Sequence, residues 1–252
     1  FADFVFENKA TLVKSKVDSV RGSLEVSNDE PVTGFNHDLT NEELKVRAKS
    51  YYATQNRAVT KQDYESLVYQ MPPKFGAIKR ANIINDPSST NRKIDIYIVS
   101  ENNDKKLSAT DAIVKNNIKN WLGRFIPIND SVEIKDAVIV NYGIEFVVQY
   151  DRNHDPNSVL FDCKRSIEKH LSDAAYIGEP LYLTRFYEIL NKTKGVVDVK
   201  KVSVTNKTNG LYSSISMNFN KIVSKDGTFY KVPKNVIMEL KYPDLDIKGT
   251  VK

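Results

Sequence analysis

The sequence predicts an α+β fold in which a helical hairpin is followed by a mixed α/β layer domain with extra C-terminal β-strands. One observation is the order strand, strand, helix, strand, strand, helix, helix, strand within residues 73–205, which mixes hairpins with crossovers. A second is that residues 211–251 show only strand-like patterns, with an Asp226-Gly227 turn that is typical of a β-hairpin. These patterns favour an α+β layer over a parallel doubly wound sheet.

The first 34 residues carry no helical period, so we expect extended chain or weak strands over 1–34. The sequence opens with Phe1 rather than Met, which predicts that this segment belongs to a truncated preceding region of a longer chain. Apolar residues make up 40% of the 252 residues and charged residues 27%, as in ordinary folded proteins. A sizeable core is therefore expected.

Residues 35–72 are predicted to form the helical hairpin. Thr40 and Glu43 have the spacing of a capping box, in which the two side chains satisfy free amides at the start of a helix. Thr60 and Asp63 repeat this arrangement before a second helix, which two consecutive prolines bring to an end.

Residues 73–205 are predicted to form the α+β domain, because the period of the apolar residues alternates between that of strands and that of helices. The predicted elements are strands at 77–84 and 94–99, a helix over 113–125, a strand pair at 132–140 and 144–150 around Asn141, Tyr142 and Gly143, a helix with Asp155 as N-cap and Pro156 at its first position, a helix over 180–190 that stops at Gly195, and a strand over 196–204.

The β-rich C-terminal extension is assigned to residues 206–252. Its hairpin is expected between strands at 216–223 and 228–232. Strand edges without neighbours are templates for pairing with another chain, and this segment is rich in aromatic residues. The rings are therefore expected either to form a dimer surface or to pack on the core; they are Tyr212, Phe219, Phe229, Tyr230 and Tyr242.

The composition argues against several classes of protein. The net charge of +5 results from 37 basic and 32 acidic residues, which gives nucleic-acid binding only weak support. A single cysteine, Cys163, excludes an intrachain disulfide and fits a reducing compartment. No apolar run approaches the roughly 18 residues of a membrane span, and no signal-peptide pattern is present, so a soluble protein is expected.

Two groups of residues are candidates for a catalytic or metal site. The cluster from Asp151 to Asp155 contains His154 and offers a metal pair, but a solvated turn in which Asp155 caps a helix explains it better. Cys163 and His170 lie seven residues apart on one helix, as a thiol and its base would, yet Cys163 falls in the apolar stripe and is expected to be buried. We expect no catalytic residue, metal site or cofactor.

A basic, nucleic-acid-binding module is the alternative function. Clustered glycines that would cradle a nucleotide phosphate are absent, since the ten glycines are scattered singly. Lysines gather near Tyr212, an arrangement that occurs in nucleic-acid sites but more often forms a solvated face. These lysines are Lys192, Lys194, Lys200, Lys201 and Lys207.

The segment 57–65, Arg-Ala-Val-Thr-Lys-Gln-Asp-Tyr-Glu, resembles the most recognisable motif of the baseplate J-like family of contractile phage tails. In that family the motif opens a short helix, a strand like 77–84 follows, and a segment like 178–181 leads through a helix to a Gly-Val pair like residues 195–196. The resemblance covers about residues 45–205.

The resemblance implies a structural virion protein that carries no catalytic residues. It implies a baseplate wedge component that joins neighbouring wedges into a six-fold inner ring, forms homodimers and contacts other wedge proteins. Such a protein is made and assembled in the host cytoplasm. We expect no small-molecule substrate and no membrane partner. Residues 1–34 and 206–252 lie outside the matched stretch.

Overall fold

The computed structural model describes residues 41–85, 92–102, 104–171 and 175–252. The chain divides into two compact units, with the division between Asp136 and Ala137. No helix in the described ranges has both the length and the hydropathy that crossing a bilayer requires. The predicted extended segment 1–34 and the Thr40 cap lie outside the described residues.

The described residues of the first unit form three α-helices and four strands. In chain order they are α1 (Asn41–Thr54), α2 (Lys61–Tyr69), β1 (Arg80–Asn85), β2 (Arg92–Glu101), β3 (Leu107–Ser108), α3 (Ala112–Leu122) and β4 (Asp130–Asp136), with a 3₁₀ turn at Pro73–Phe75 between α2 and β1. The predicted helical hairpin is confirmed as α1 and α2. The predicted strands at 77–84 and 94–99 and the helix at 113–125 are confirmed as β1, β2 and α3.

Strand β2 is the centre of the first sheet. It pairs with β1 in antiparallel fashion, with β4 in parallel fashion, and at its end with the short β3. Alternate residues of β2, including Ile96 and Ile98, are fully buried, because one face of the sheet packs on the helices. Tyr64 and Leu67 of α2 and Ile118 of α3 complete this core.

The second unit is built on the long strand β5. Its elements are β5 (Val138–Tyr150), α4 (Pro156–Leu171), β6 (Leu181–Tyr182), α5 (Leu183–Asn191), β7 (Val196–Asn206), α6 (Phe219–Ile222), β8 (Phe229–Tyr230), β9 (Val236–Glu239), α7 (Pro243–Asp246) and β10 (Ile247–Val251). The order confirms the α+β class.

Strand β5 is flanked on both sides. On one side it pairs with β7 in antiparallel fashion. Parallel partners take the other side, with β9 along the first part of β5 and β10 along the second. Helices α4 and α5 cover one face of this sheet, where Phe146, Cys163 and Phe186 meet in one buried cluster.

The predicted strand pair around residues 141–143 is wrong. Residues 138–150 form one continuous strand, and β4 belongs to the other sheet. Gly143 serves close approach rather than a turn, because a Cβ there would lie 2.4 Å from Cε of Lys207 and 3.0 Å from the carbonyl oxygen of Asp246.

The predicted strand at 216–223 is also wrong. Asn218 accepts a hydrogen bond from the amide of Asn220 and begins the short helix α6, which buries Phe219. The reversal at Asp226-Gly227 is present, since the Gly227 amide bonds to the Ser224 carbonyl and Val223 lies opposite Tyr230. The C-terminal extension thus contains helical turns besides its strands.

The division of the chain into the modules 1–34, 35–72, 73–205 and 206–252 stays a prediction. In the structure the chain packs as two units, and β9 and β10 complete the sheet that is built on β5.

Candidate interaction surface

The segment 57–65 forms the start of α2. The Thr60 hydroxyl accepts from the Asp63 amide at 3.2 Å, and the Asp63 carboxylate accepts from the Thr60 amide at 2.8 Å, which together make a capping box. The same carboxylate accepts from the Val59 amide at 3.1 Å. The predicted cap is confirmed, and the segment fixes the direction in which α2 leaves the preceding loop.

This segment also ties α2 to two distant parts of the first unit. The amide of buried Ala58 donates to the Phe125 carbonyl beyond α3 at 3.0 Å. The Tyr64 hydroxyl donates to the Asp130 carboxylate at the start of β4 at 2.8 Å. Segment 57–65 therefore connects α2 to the rest of the first unit. Val59 of this segment is half exposed.

Replacing Thr60 with Ala is expected to lower the free energy of unfolding by about 1 kcal/mol, because the Asp63 amide loses its acceptor. Equilibrium denaturation measures the change, with Gln62→Ala on the same exposed turn as the matched control. An unchanged midpoint for Thr60→Ala would show that the cap does not stabilise α2.

A tyrosine hydroxyl covers one strand edge in each unit. Tyr69 of α2 accepts from the outward amide of Ala81 on β1 at 2.8 Å. Tyr187 of α5 accepts from the amide of Val202 on β7 at 3.1 Å. At the end of β7, the Asn206 side chain also bonds both backbone groups of Met217, at 2.6 and 3.2 Å. These contacts occupy groups that would otherwise pair with another chain.

A ladder of opposite charges crosses β2 and β4 on the face of the first sheet opposite the core. Lys93 pairs with Glu133 at 2.7 Å, and Lys135 pairs with Asp95 at 2.8 Å and with Glu133 at 3.3 Å. The hydrogen bond from Lys93 lowers the pKa of Glu133, and the bond to Asp95 raises the pKa of Lys135. Both groups therefore stay charged near neutral pH.

The five aromatic rings of the C-terminal extension pack mainly inward. Phe219 and Tyr230 are buried and contact each other with centroids 5.2 Å apart. Tyr212 and Tyr242 form an edge contact at 5.6 Å. Phe229 instead lies 5.6 Å from Tyr182, which is 45% exposed. Phe219 and Tyr230 of the extension thus belong to the core, while Phe229 pairs with the more exposed Tyr182 of β6.

A buried polar cluster fastens the extension to β5. The Asp246 side chain is fully buried and accepts from the Tyr212 hydroxyl at 2.7 Å and the Tyr242 amide at 2.9 Å, while Lys207 lies 3.7 Å away. Buried Asn141 donates to Glu239 at 2.8 Å. Burial, and then the bond to Asp246, raise the pKa of Tyr212 to about 12. Every member binds another part of the chain, so the cluster acts as a structural fastening.

The acidic cluster at 151–155 forms a turn and a helix cap. Asp151 accepts from the Asn153 amide at 3.1 Å, and Asp155 accepts from the Ser158 amide at 2.9 Å, which caps α4 as predicted. Nδ1 of His154 lies 3.6 Å from the Asp151 carboxylate. In the described ranges no three residues of the metal-binding types come together as ligands would.

Cys163 and His170 do not form a catalytic pair. Cys163 is fully buried in the core of the second unit, as predicted, while His170 is exposed and its Nδ1 lies 2.8 Å from the Ser166 carbonyl of its own helix. Burial, and to a smaller extent the charge of Asp162, raise the pKa of the Cys163 thiol to about 11. A protonated, enclosed thiol is a poor nucleophile.

Thiol reagents are expected to modify Cys163 of the native protein far more slowly than a free thiol at pH 8, because both burial and the raised pKa suppress the thiolate. Timed labelling before and after denaturation measures this. Rapid labelling of the native chain would contradict the buried placement.

Cys163→Ala is expected to lower the free energy of unfolding by roughly 1 kcal/mol.

The basic residues near Tyr212 do not form a base-stacking platform. Tyr212 is bound to Asp246, Lys207 lies beside the same carboxylate, and Lys192 pairs with Glu188 at 2.5 Å. Lys200 and Lys201 are exposed on β7. Tyr212, Lys207 and Lys192 are thus engaged within the chain, so Tyr212 is not available as a stacking partner beside these lysines.

A shallow groove of about 460 Å³ lies between the end of β7 and the segment 216–220. No ionisable side chain lines this groove, which is formed by Val204, Thr205, Asn206, Ser216, Met217, Asn218, Phe219 and Asn220. The Asn206 and Asn218 side chains that line it are already bonded to Met217 and to the Asn220 amide, and the groove offers no group that performs acid–base chemistry.

No protein-family model and no curated protein matches the sequence. Among solved structures, the fold is similar to a chain of the anti-feeding prophage baseplate, determined by cryo-EM with six-fold symmetrisation, with a TM-score of 0.52 and 12% sequence identity. The match covers 81% of this chain and 42% of that one, so the present chain spans less than half the length of its structural neighbour. The likeness is one of fold.

Proposed function

We propose that the chain is a structural, non-enzymatic component of a contractile phage tail baseplate, where it binds other proteins. The observation that carries this proposal is the fold similarity to a baseplate chain over 81% of the present sequence. The segment 57–65, which resembles the baseplate J-like motif, supports it through the sequence rather than the fold. Localisation to the virion, at the tail baseplate, follows from this role.

Within that role, the chain resembles the C-terminal portion of the large baseplate wedge protein of T4-like phages. It joins neighbouring wedges into the six-fold inner ring, pairs with a second copy of itself, and contacts other wedge proteins. In this proposal 35–72 and 73–205 are the baseplate J-like part and 206–252 is an added C-terminal part. The internal anchoring of segment 57–65 supports a rigid building block whose partners bind elsewhere on its surface.

Immunogold labelling tests the role directly. Antibodies raised against the 252-residue chain are applied to tailed particles purified from cells that produce it. We expect gold at the baseplate end of the tail and none along the sheath or on the head. Purified particles that lack the protein would contradict the proposal.

Binding to DNA separates the alternative function from the proposed one. A nucleic-acid module is retained on duplex DNA at low salt and released steeply as salt rises. For the proposed structural role we expect no salt-dependent retention beyond that of an unrelated protein of similar charge.

A further inference from the structure

The outer edge of β4 differs from the outer edge of β1, the other outer strand of the first sheet. All seven residues of β4 pair with β2, and no other described strand pairs with β4. On β1, by contrast, Tyr69 binds an outward amide, and the core-facing residues Ala81 and Ile83 are each only 4% exposed. The corresponding Val132 and Ile134 of β4 stay half-buried. An added strand would cover these side chains and bond the backbone groups on that edge.

The charges on β4 favour an identical strand as the occupant. Glu133 and Lys135 lie two residues apart on the outer face, with side chains 49% and 35% exposed. When β4 pairs antiparallel with its own copy, a two-fold axis must pass through a residue if polar and core faces are to match. An axis at Glu133 sets two carboxylates opposite each other, and an axis at Lys135 sets two ammonium groups opposite each other.

An axis at Ile134 removes both conflicts. Glu133 then lies opposite Lys135 of the second copy, and Lys135 opposite its Glu133, so that two cross-strand pairs of opposite charge form. Ile134 meets its own counterpart on the core-facing side. The short edge strand β10 has only five residues and no such self-complementary pair, since its charge is Lys248.

We propose that β4 is a self-association edge, on which a second copy of this chain adds its own β4 in antiparallel register about a two-fold axis at Ile134. The sheet of the first unit then continues across the dimer. This contact deepens the proposed assembly role, on which its biological meaning rests, by giving the surface through which copies join.

Disulfide trapping tests the register. In the proposed dimer the two Ile134 Cα atoms are roughly 4.5–5.5 Å apart, within disulfide range. The two Val132 Cα atoms are offset by four residues and are roughly 13 Å apart or more. We expect Ile134→Cys to give a disulfide-linked dimer under mild oxidation and Val132→Cys, the matched control, to stay monomeric on a non-reducing gel. Buried Cys163 adds no background. Failure of Ile134→Cys to cross-link, or equal cross-linking of both variants, overturns the register.

Charge exchange tests the pairing without cysteines. Glu133→Lys and Lys135→Glu each put like charges opposite each other at both pairs, so each alone is expected to weaken the dimer by about tenfold or more. Mixing the two variants pairs Lys with Glu again and is expected to restore a dimer. Lys93→Glu, on the same sheet face but on β2, is the control that keeps the dimer. Circular dichroism checks that each variant folds.

Light scattering separates this inference from the proposed function. We expect the chain to have twice its 28.7 kDa mass at tens of micromolar. A monomeric mass overturns self-pairing, while gold at the baseplate in the labelling experiment would still support the structural role. If the unsubstituted chain is a dimer but mixing the two charge variants does not restore a dimer, the contact lies elsewhere. That result also overturns the assignment to β4.

Discussion

Deleting residues 206–252 is expected to unfold the second unit rather than release a folded monomer. The deletion removes β9 and β10, which pair along one whole side of β5. It also removes Phe219, Tyr230 and Ile247 from the buried cluster. The deletion exposes one side of a central strand together with these apolar side chains. The free-energy cost of that exposure exceeds the usual stability of a domain.

Far-UV circular dichroism and limited proteolysis measure the loss. Trp121 is the only tryptophan of the chain and belongs to the first unit, so its fluorescence reports separately on that unit. We expect the tryptophan signal to stay native while residues after 137 become protease-sensitive. A deletion variant that stays dichroic, compact and resistant would show that the extension is an added surface and not part of the core.

Replacing Asp246 with Ala is expected to lower the free energy of unfolding by roughly 3–5 kcal/mol. The carboxylate is fully buried and holds Tyr212, the Tyr242 amide and Lys207 together. Its removal takes the acceptor away from the half-buried Tyr212 hydroxyl and from the Tyr242 amide, and leaves Lys207 without its counter-charge. Chemical denaturation followed by circular dichroism measures the change.

Asp244→Ala is the matched control, because Asp244 lies in the same short helix α7 but is exposed, and we expect a change within about 0.5 kcal/mol. Tyr212→Phe removes only one hydrogen bond to the charged group and is expected to cost about 1.5–3 kcal/mol. Equal effects of Asp246→Ala and Asp244→Ala would contradict the fastening role of the cluster.

Local signals in the sequence predicted the helices well. Thr60 with Asp63 and Asp155 before Pro156 mark helix starts, because caps act within a few residues and leave a local signature. Burial of Cys163 followed from its place in the apolar stripe of α4. In each case the decisive partner lies within one or two helical turns.

Contacts between distant residues leave no local pattern in the sequence. The pattern around Gly143 predicts a turn, but Gly143 makes room for Lys207 and the Asp246 carbonyl, which lie far along the chain. The edge contacts of Tyr69 and Tyr187 and the cluster around Asp246 likewise join residues whose meeting no local pattern reveals. The pattern of residues 216–223 predicts a strand, but the Asn218 side chain caps α6 and residues 219–222 are helical.

Cryo-EM of purified tailed particles tests the central claim, a structural role in the baseplate, most directly. We expect six-fold-averaged density at the baseplate into which the two units fit, with β5 flanked by β7 on one side and by β9 and β10 on the other. A fully assigned baseplate with no density for this fold, in particles from cells that produce the chain, would contradict the account.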